Sequence, residues 1–549
     1  MRIPLVARAA GAIVFAAAMT AVVTARTSPA GTSPAIHIVP IGSYASGQFD
    51  EAAAEIVAHD PRTQRLFTVN AQSGQVDVLD VSDPTAPTLL FTIPVQGVAN
   101  SVAVHRGLVA IAVEASTKTD PGHVAFMSVD GAALATVTVG AQPDMLTFTP
   151  DGRRVLVANE GEPSDDYLVD PEGSVSIIDL PRPIASLTQN HVRTARFDLD
   201  AADLDPRVRV FGPNATVATN LEPEYITVAK DGRTAWVSLQ EANAIAILDV
   251  DAGRFTAVRS LGFKDWLLSD GLDASDQSGA IRPANWPVLG MYQPDALASY
   301  EHRGRTFIVT VNEGDVREWD GYSELSRFRA LSGRVPPCGD SPRLQRFFAK
   351  NTLGITTLDQ LRDNTNMGRL NVTTATGLRA DGSCYEDIYT FGGRSFSIWN
   401  DKAELVFDSG SAFEARIAKV NPTNFNSNHT EDNFKGRSDD KGPEPEGVAV
   451  AKLYGRVYAF MSLERVGGIM VYDVTDPYAP RFVEYVNNRT FFAPGTTPTL
   501  EERGDLGPEG LIVIEPEHSP IRGVPLLVVA NEVSGTTTVY RIDRLSGRR

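Results

Sequence analysis

Residues 442–478 contain three β-prone runs joined by turns: Gly442-Pro-Glu-Pro-Glu-Gly-Val-Ala-Val-Ala-Lys452, Arg456-Val-Tyr-Ala-Phe-Met-Ser-Leu-Glu464 and Gly468-Ile-Met-Val-Tyr-Asp-Val-Thr-Asp-Pro-Tyr478. Their β-branched and aromatic residues favour strands, and Asp476-Pro477 indicates a turn. A fourth run, Arg481-Phe-Val-Glu-Tyr-Val486, follows. The four strands predict one small antiparallel sheet. Since such a sheet is apolar on both faces and cannot bury them alone, the pattern requires repetition.

The unit repeats along the chain in degenerate form. A pair that ends in an acid or an amide precedes the first strand of each unit: Ala54-Glu55, Ala99-Asn100, Pro143-Asp144, Pro223-Glu224, Pro294-Asp295, Pro445-Glu446 and Pro508-Glu509. A second pair closes the following strand: Asn70-Ala71, Val113-Glu114, Asn159-Glu160, Leu239-Gln240, Asn312-Glu313, Leu463-Glu464 and Asn531-Glu532. Because the two series stay in phase, the sequence predicts an all-β, seven-bladed β-propeller. Separate β-sandwich domains are the alternative, but no linker interrupts the phase.

The two ends of the chain complement each other. A strand-like run at 36–44 precedes the first complete unit, whereas the last unit has only three strands of its own, at 511–515, 526–530 and 536–542. We therefore expect the N-terminal strand to become the outer strand of the last blade and to close the ring, which removes two exposed sheet edges. The predicted propeller domain covers residues 36–545.

Blade five differs from the other repeat units in having a long insertion. Residues 315–390 form a long insertion between its strands, with a possible short helix over 353–363. Long functional loops often cover sites, so the insertion predicts a cap on one face of the ring. It carries the two cysteines, Cys338 and Cys384. In an exported chain these are expected to form a disulfide, and two free buried thiols are the alternative.

Charge and targeting signals limit the classes of partner. The formal net charge of −18 and the pI of about 5.0 argue against nucleic acid and anionic membrane surfaces and favour cations. Two basic residues, an apolar run over 9–23 and an Ala-x-Ala-like site at Val23-Thr-Ala25 predict a signal peptide, 1–25, followed by a flexible leader, 26–35. We expect a secreted monomer with no transmembrane segment after cleavage and no C-terminal anchor.

Three acidic loops contain the candidate metal ligands. They begin at Asn159, Asn312 and Arg437 and leave equivalent or neighbouring strand ends, so they should gather at one face around the central channel. Clustered carboxylates supply the oxygens that Ca²⁺ requires. The predicted metal ligands are Asp144, Glu160, Glu224, Asp295, Glu313, Asp315, Asp439, Asp440, Glu446, Glu464, Glu509 and Glu532. A solvated acidic rim is the alternative.

No catalytic residue can be named. The eight histidines lack zinc-site spacing, although His429 precedes the third acidic loop, and no nucleophile elbow or phosphate-binding loop is present. Four arginines lie beside the acidic loops: Arg317, Arg394, Arg437 and Arg465. An acid cluster with nearby arginines is the equipment of a metal-assisted phosphoester hydrolase, and these residues are candidate anion ligands. They could equally form structural ion pairs.

The longest motifs resemble one family. They are Asn159-Glu-Gly-Glu-Pro163, Asn312-Glu-Gly-Asp315, Arg437-Ser-Asp-Asp-Lys-Gly-Pro-Glu-Pro-Glu-Gly447, Leu463-Glu-Arg-Val-Gly-Gly468 and Asn531-Glu-Val-Ser-Gly535. Together they resemble the choice-of-anchor I domain proteins, a group related to mesenchyme-specific cell surface glycoproteins. The resemblance implies a secreted or surface propeller of the YVTN/WD40-like class. Family members are often labelled alkaline phosphatase, but no agreed catalytic residues carry over.

The leading functional hypothesis is a secreted propeller that binds a divalent cation, with Ca²⁺ preferred, at a capped acidic face. It would act as an extracellular binding or scaffold module for a small-molecule or extracellular ligand that the sequence does not identify. The alternative is a Ca²⁺-dependent phosphomonoesterase that uses the same face. A third hypothesis is an adhesive or structural protein with an inert acidic rim.

Overall fold

A computed structural model describes residues 36–49, 52–199, 203–333, 335–493 and 495–545 of the 549-residue chain. The predicted signal peptide and leader, 1–25 and 26–35, lie outside the described residues. Within the described ranges, no helix is both long enough and apolar enough to span a membrane. The structure is built mainly from small antiparallel sheets, which confirms the predicted all-β class.

Four consecutive sheets, here numbered 1 to 4, account for the first half of the chain. After β1 (Ile36–Ala45), the strands are β2 (Val57–Asp60), β3 (Arg65–Asn70), β4 (Gln75–Asp80), β5 (Thr88–Pro94), β6 (Val98–His105), β7 (Leu108–Glu114), β8 (Pro121–Ser128), β9 (Ala133–Ala141), β10 (Pro143–Phe148), β11 (Arg154–Asn159), β12 (Ser174–Asp179), β13 (Val192–Arg196), β14 (Ile226–Val228), β15 (Thr234–Leu239), β16 (Ala244–Asp249) and β17 (Arg254–Ser260). Each sheet takes four strands in chain order. A short helix, α1 (Val217–Asn220), lies between β13 and β14.

Sheet 5 is interrupted by the insertion. In chain order the elements are β18 (Phe263–Asp265), β19 (Leu289–Met291), β20 (Leu297–His302), β21 (Arg305–Asn312), β22 (Glu318–Trp319), β23 (Tyr322–Ser323), β24 (Leu325–Arg327), α2 (Pro342–Lys350), α3 (Leu358–Leu361), β25 (Asn371–Thr373), β26 (Tyr389–Thr390), β27 (Ser395–Asn400), β28 (Leu405–Asp408) and α4 (Ala412–Val420). Strands β20, β21, β27 and β28 form the sheet. The remaining strands form small ladders within the insertion and the segment that precedes β20.

The last two sheets complete the chain. Their elements are β29 (Pro445–Leu453), β30 (Arg456–Leu463), β31 (Ile469–Asp473), β32 (Arg481–Val486), α5 (Leu500–Arg503), β33 (Pro508–Ile514), β34 (Leu526–Asn531) and β35 (Thr536–Arg544). Strands β29 to β32 form sheet 6, and sheet 7 has the order β1-β35-β34-β33. The N-terminal strand therefore pairs antiparallel with the last strand, as predicted, with Ile38 opposite Ile542.

Each sheet packs its apolar face against the next sheet. Sheets 1 and 2, for example, share a core around Val78 and Ile111, and sheets 3 and 4 share one around Ile177 and Val237. Sheet 7 packs in turn against sheet 1, and this core contains Leu66 and Val528. The first strands contact one another in the order β2, β6, β10, β14, β20, β29 and β33, and β33 contacts β2.

The insertion has its own apolar core. Trp266, Trp286, Phe328 and Phe347 are buried together, so the segment over 263–291 shares one core with the predicted insertion. Cys338 and Cys384 form the predicted disulfide. The helix expected over 353–363 is mostly wrong, because only Leu358–Leu361 is helical and the longer helix is α2. Ser341 caps α2, and proline occupies its first turn.

Candidate functional site

In three of the sheets, a β-bulge lies at the acid-bearing pair that precedes the first strand. These pairs, with their equivalents in the other sheets, are called the first series. In sheet 3, Pro143 lies opposite Asn159, and the register then shifts before Leu146 pairs with Val157. The same shift follows Pro445 in sheet 6 and Pro508 in sheet 7. A bulge leaves its residues out of the ladder and redirects their side chains. In these three sheets the Pro-acid pair therefore lies beside the end of the second strand, where the two series predicted from sequence meet.

The first series lines a cavity of about 320 Å³. All seven sheets contribute residues to its wall. The polar ones are Glu55, Asn100, Ser101, Asp144, Tyr225, Asp295, Glu446 and Glu509. Burial, reinforced by neighbouring acids, raises the pKa of Glu55 to about 8 and that of Asp144 to about 7. The pKa values of Asp295, Glu446 and Glu509 are also raised well above their usual range.

Three carboxylates converge beside this cavity. One oxygen from each of Glu160, Glu224 and Glu241 lies within 4.8 Å of the others. Their exposed fractions are only 9%, 7% and 3%. Oε2 of Glu224 and Oε2 of Glu241 are buried without a hydrogen-bond partner, and Glu160 accepts a bond from Gln142 Nε2 at 2.6 Å. Among the described residues, no basic side chain forms an ion pair with any of the three, although the charge of Arg317 opposes the rise in the pKa of Glu241.

The electrostatics of this cluster favour an external cation. Desolvation raises the pKa of Glu241 to about 8 and raises the pKa values of Glu160 and Glu224 well above their ordinary value. Charge repulsion adds to these shifts, because Glu241 raises the pKa of both Glu160 and Glu224. Glu160 also raises the pKa of Glu224. Three buried carboxylates that repel one another are the arrangement that a bound divalent cation relieves.

A second cluster is neutralised by the protein itself. Carboxylate oxygens of Glu313, Glu444 and Glu464 lie within 4.8 Å of one another. Glu444 is fully buried and receives Arg437 Nε at 2.6 Å, Lys441 Nζ at 3.1 Å and Arg465 Nε at 3.1 Å. These cations hold the pKa of Glu444 below its ordinary value despite its burial.

The structure contains two further convergent groups. Glu55, Glu509 and Glu532 come within 4.8 Å of one another, as do His429, Glu464 and Glu532. His429 Nδ1 already faces Arg465 Nη1 at 2.6 Å and Glu464 Oε1 at 3.2 Å. Internal partners therefore already contact the imidazole of His429.

Six predicted ligands lie outside these groups: Asp144, Asp295 and Glu446 line the cavity, and Asp315, Asp439 and Asp440 do not. Asp439 pairs with Arg327 at 2.7 Å and with Arg369 at 3.0 Å. Asp440 pairs with Arg437 at 2.8 Å. The pKa of Asp315 is raised well above its usual range by burial and by neighbouring acids, although Lys441 opposes the shift. Of the predicted ligands, Glu313, Asp439, Asp440 and Glu464 are therefore ion-paired within the protein.

The four arginines proposed as anion ligands are engaged internally. Arg317 is 2% exposed and contacts the Glu222 carboxylate and two backbone carbonyls. Arg394, also 2% exposed, binds Glu414 at 2.9 Å and three carbonyl oxygens. Arg437 and Arg465 both bind Glu444. These contacts match the structural alternative that the sequence left open.

Sequence reasoning missed Glu241 and Glu444 as members of the clusters. Glu241 directly follows the Leu239-Gln240 pair, so reading the second series one residue further would have found it. Glu444 lies between the two prolines of the Pro-Glu-Pro-Glu motif that contains Glu446. Glu446 lines the cavity, whereas Glu444 faces Lys441 and two arginines. No spacing rule separates those two environments.

A larger surface groove lies elsewhere. It measures about 670 Å³ and is lined by side chains of mixed charge, including Asp205, Arg207, Arg259 and Lys402. None of the predicted ligands lines it. We therefore assign the candidate site to the acidic clusters rather than to this groove.

Comparisons with known proteins agree with the sequence resemblance. The chain is 33% identical to Gigasin-3a of Magallana gigas over 188 residues, which cover 33% of this chain and 66% of that protein. It is 26% identical to the mesenchyme-specific cell surface glycoprotein of Strongylocentrotus purpuratus over 284 residues, which cover 48% of this chain and 36% of that protein. Less than two thirds of either relative is therefore matched.

Two solved structures align with most of this chain. The WD40 domain of Toxoplasma gondii coronin aligns over 94% of this chain and 90% of its own, with a TM-score of 0.45 and 7% identity. Hydrazine synthase of Kuenenia stuttgartiensis aligns over 92% and 99%, with a TM-score of 0.44 and 12% identity. The choice-of-anchor I domain matches residues 55–477. Since this match covers most of the chain, the protein belongs to the choice-of-anchor I domain family.

Proposed function

We propose that the seven four-stranded sheets are the blades of one closed β-propeller that binds a divalent cation. The cyclic order of the sheet cores supports closure, because sheet 7 packs against sheet 1 in the same way that the other neighbours pack. The pairing of β1 with β35 also supports it, since it completes the seventh sheet with the start of the chain. Closure would bring the acid-bearing strand starts around one channel.

The Glu160–Glu224–Glu241 cluster carries the proposal. Three convergent carboxylates, two of them with a buried and unpartnered oxygen, form an all-oxygen site in which none of the three is ion-paired with a described residue. Hard cations prefer such ligands, and Ca²⁺ fits best because it accepts irregular geometry and bidentate carboxylates. Of the predicted ligands, the proposal retains Glu160 and Glu224 for this ion and adds Glu241. Water and nearby oxygens would complete the coordination shell.

An extracellular binding or scaffold role is the context that we propose for the cation. The disulfide suits an oxidising compartment, and the N-terminal sequence has the features of a signal peptide. One relative is named as a cell surface glycoprotein. In this role the bound cation would neutralise the buried acids and rigidify the loops that carry them.

No observation favours the phosphomonoesterase alternative. It requires arginines that can reach a phosphate, but Arg317 and Arg394 are buried and their guanidinium groups are engaged by carboxylates and carbonyls. Arg437 and Arg465 compensate Glu444. Phosphate binding by either pair would require breaking a buried ion pair, which is strongly unfavourable.

The cation proposal is tested by thermal melting and calorimetric titration of the full chain. After removal of metal with EDTA, added Ca²⁺ should bind and raise the melting temperature, because a ligand that binds only the folded state stabilises it. The double variant Glu224→Gln/Glu241→Gln should lose both effects. Glu301→Gln, at an exposed position, is the matched control and should retain them.

Either of two results would contradict this proposal. One is a melting temperature that neither EDTA nor Ca²⁺ changes, which would leave the cluster as buried, protonated acid. The other is Ca²⁺ binding that the double variant retains in full, which would place the cation elsewhere. Turnover of p-nitrophenyl phosphate in the same samples would revive the phosphatase alternative.

A further inference from the structure

The acid-lined cavity differs from the convergent cluster in how its charges are arranged. Five carboxylates line it, those of Glu55, Asp144, Asp295, Glu446 and Glu509. Among the described residues, Asp144, Asp295 and Glu446 belong to no convergent group of metal-ligating atoms. A single metal ion needs its oxygens within about 2.3–2.6 Å of one point. Glu55 and Glu509 converge with Glu532, whereas the other three carboxylates are spread around the cavity wall.

Several of these carboxylates have no ion-pair partner among the described residues. Oε2 of Glu446 and Oε2 of Glu509 are buried without a hydrogen-bond partner among the described residues, and none of the described residues that line the cavity is basic. Between the acids the wall is apolar, with Ile56, Met145 and Val448. The volume of about 320 Å³ falls at the lower end of the roughly 300–1,000 Å³ typical of small-molecule sites.

We propose that this cavity binds an alkylammonium ligand, with a small aliphatic polyamine as the best fit. Ammonium groups spaced along a chain can each meet a different carboxylate, and the methylene segments between them can pack against Ile56, Met145 and Val448. The site goes beyond the proposed cation site and uses different residues. The side chain of a lysine from another protein carries the same chemistry and is the second possible source.

Charge and hydrogen-bonding capacity favour an amine over an inorganic cation in this cavity. A primary ammonium has three donors and no acceptor, so it suits carboxylate oxygens that have no donor of their own. Binding should bring protons off the cavity acids, because their raised pKa values leave part of the population protonated at neutral pH. Calorimetry in buffers with different ionisation heats would detect that proton release.

Calorimetric titration at low ionic strength, with EDTA present, tests the proposal. The probes are spermidine, 1,5-diaminopentane and, as an uncharged control, 1,5-pentanediol. The two amines should bind and the diol should not. The variant Asp295→Asn/Glu446→Gln should weaken amine binding by about tenfold or more, since each removed charge costs a charge-assisted hydrogen bond. Glu224→Gln/Glu241→Gln is the matched control and should bind the amines normally.

The two variants also separate this proposal from the cation site. Asp295→Asn/Glu446→Gln should keep its Ca²⁺ response, whereas the control double variant should lose it. Because removing an uncompensated buried charge stabilises a fold, neither variant is expected to melt earlier than the parent chain. Melting curves therefore verify that a loss of binding is not a loss of folding.

The source of the ammonium group is distinguished by a second set of probes. Spermidine binding that exceeds binding of a lysine-rich peptide supports a free polyamine, and the reverse order supports a lysine side chain. Both results support the ammonium site. Absence of amine binding, or binding that Asp295→Asn/Glu446→Gln leaves unchanged, would overturn the proposal.

Discussion

Two buried glutamates of the acidic clusters have pKa values that are shifted in opposite directions. Glu241 and Glu444 are both almost fully buried glutamates. The pKa of Glu241 is raised to about 8, and that of Glu444 is lowered. The difference lies in their partners, because Lys441, Arg437 and Arg465 surround Glu444. Burial decides how strongly a carboxylate depends on a cation, and the neighbours decide whether the protein supplies that cation itself.

Lys441 is the residue whose removal tests this account. Its ammonium group contacts Glu313, Glu444 and the carbonyl of Gly314. Lys441→Met leaves these buried acceptors without a donor, and we expect unfolding free energy to fall by roughly 3–5 kcal/mol. Urea denaturation measures the change. The matched control is Lys230→Met at an exposed ion pair, for which a loss of at most about 1 kcal/mol is expected. Equal effects of both substitutions would contradict the account.

At the scale of elements, most strands were predictable from the sequence, whereas the internal structure of the insertion was not. The strand runs were found because a two-residue alternation bounded by turns is local information, and the paired series fixed their phase. The fourth strand of sheet 3, β13 (Val192–Arg196), was missed, since its polar sequence VRTAR carries little strand signal. The core shared by 263–291 and the insertion joins segments distant in sequence, so no local pattern reveals it.

The N-terminal strand β1 provides an element-scale test. Ile36 and Ile38 are buried and pack with Tyr540 and Ile542 in the core between sheets 6 and 7. Ile38→Ala should reduce the free energy of unfolding by about 2–5 kcal/mol, because it leaves a cavity in that core. Ser43→Ala, at an exposed position of the same strand, is the control and should change stability little. Denaturant titration compares the two variants, and similar stabilities would show that β1 contributes little to folding.

At the scale of the whole molecule, the repeat predicted where the acids gather but not which of them stay uncompensated. The in-phase series placed Glu224 and Glu446 before first strands and Glu160 at the end of a second strand. The structure places Glu446 in the cavity wall and brings Glu160 and Glu224 together in one cluster. Of the cations that neutralise Glu444, Arg437 and Lys441 belong to the loop that precedes β29, and Arg465 lies in the turn between β30 and β31. Repetition thus predicts the architecture shared by all sheets, whereas the chemistry depends on the loops that differ.

Buried, uncompensated acids also make stability depend on pH in a specific direction. The folded-state pKa of Glu55 is about 8, and that of Asp144 is about 7, both above their ordinary values. Charge repulsion from Glu532 and Asp144 adds to the rise in the pKa of Glu55. Repulsion from Glu162 and Glu114 does the same for Asp144. The stabilisation from these groups is complete below their unfolded pKa values and is lost as pH rises through the folded ones. The metal-free protein should therefore lose stability between about pH 6.5 and 8.5.

The lower limit of this pH range is set at about 6.5 because His59 contributes the opposite pH dependence of stability at lower pH. Burial lowers the pKa of His59 to about 4, so its contribution grows as pH rises from there and is complete above its unfolded pKa of about 6.5. Melting temperatures measured in EDTA at pH 6.5, 7.5 and 8.5 should fall steadily. In Glu55→Gln/Asp144→Asn the fall should be smaller, because two of the titrating acids are gone. A melting temperature that rises across this interval would mean that the acids are compensated in the folded protein, and the cavity would then have no need of a cationic ligand.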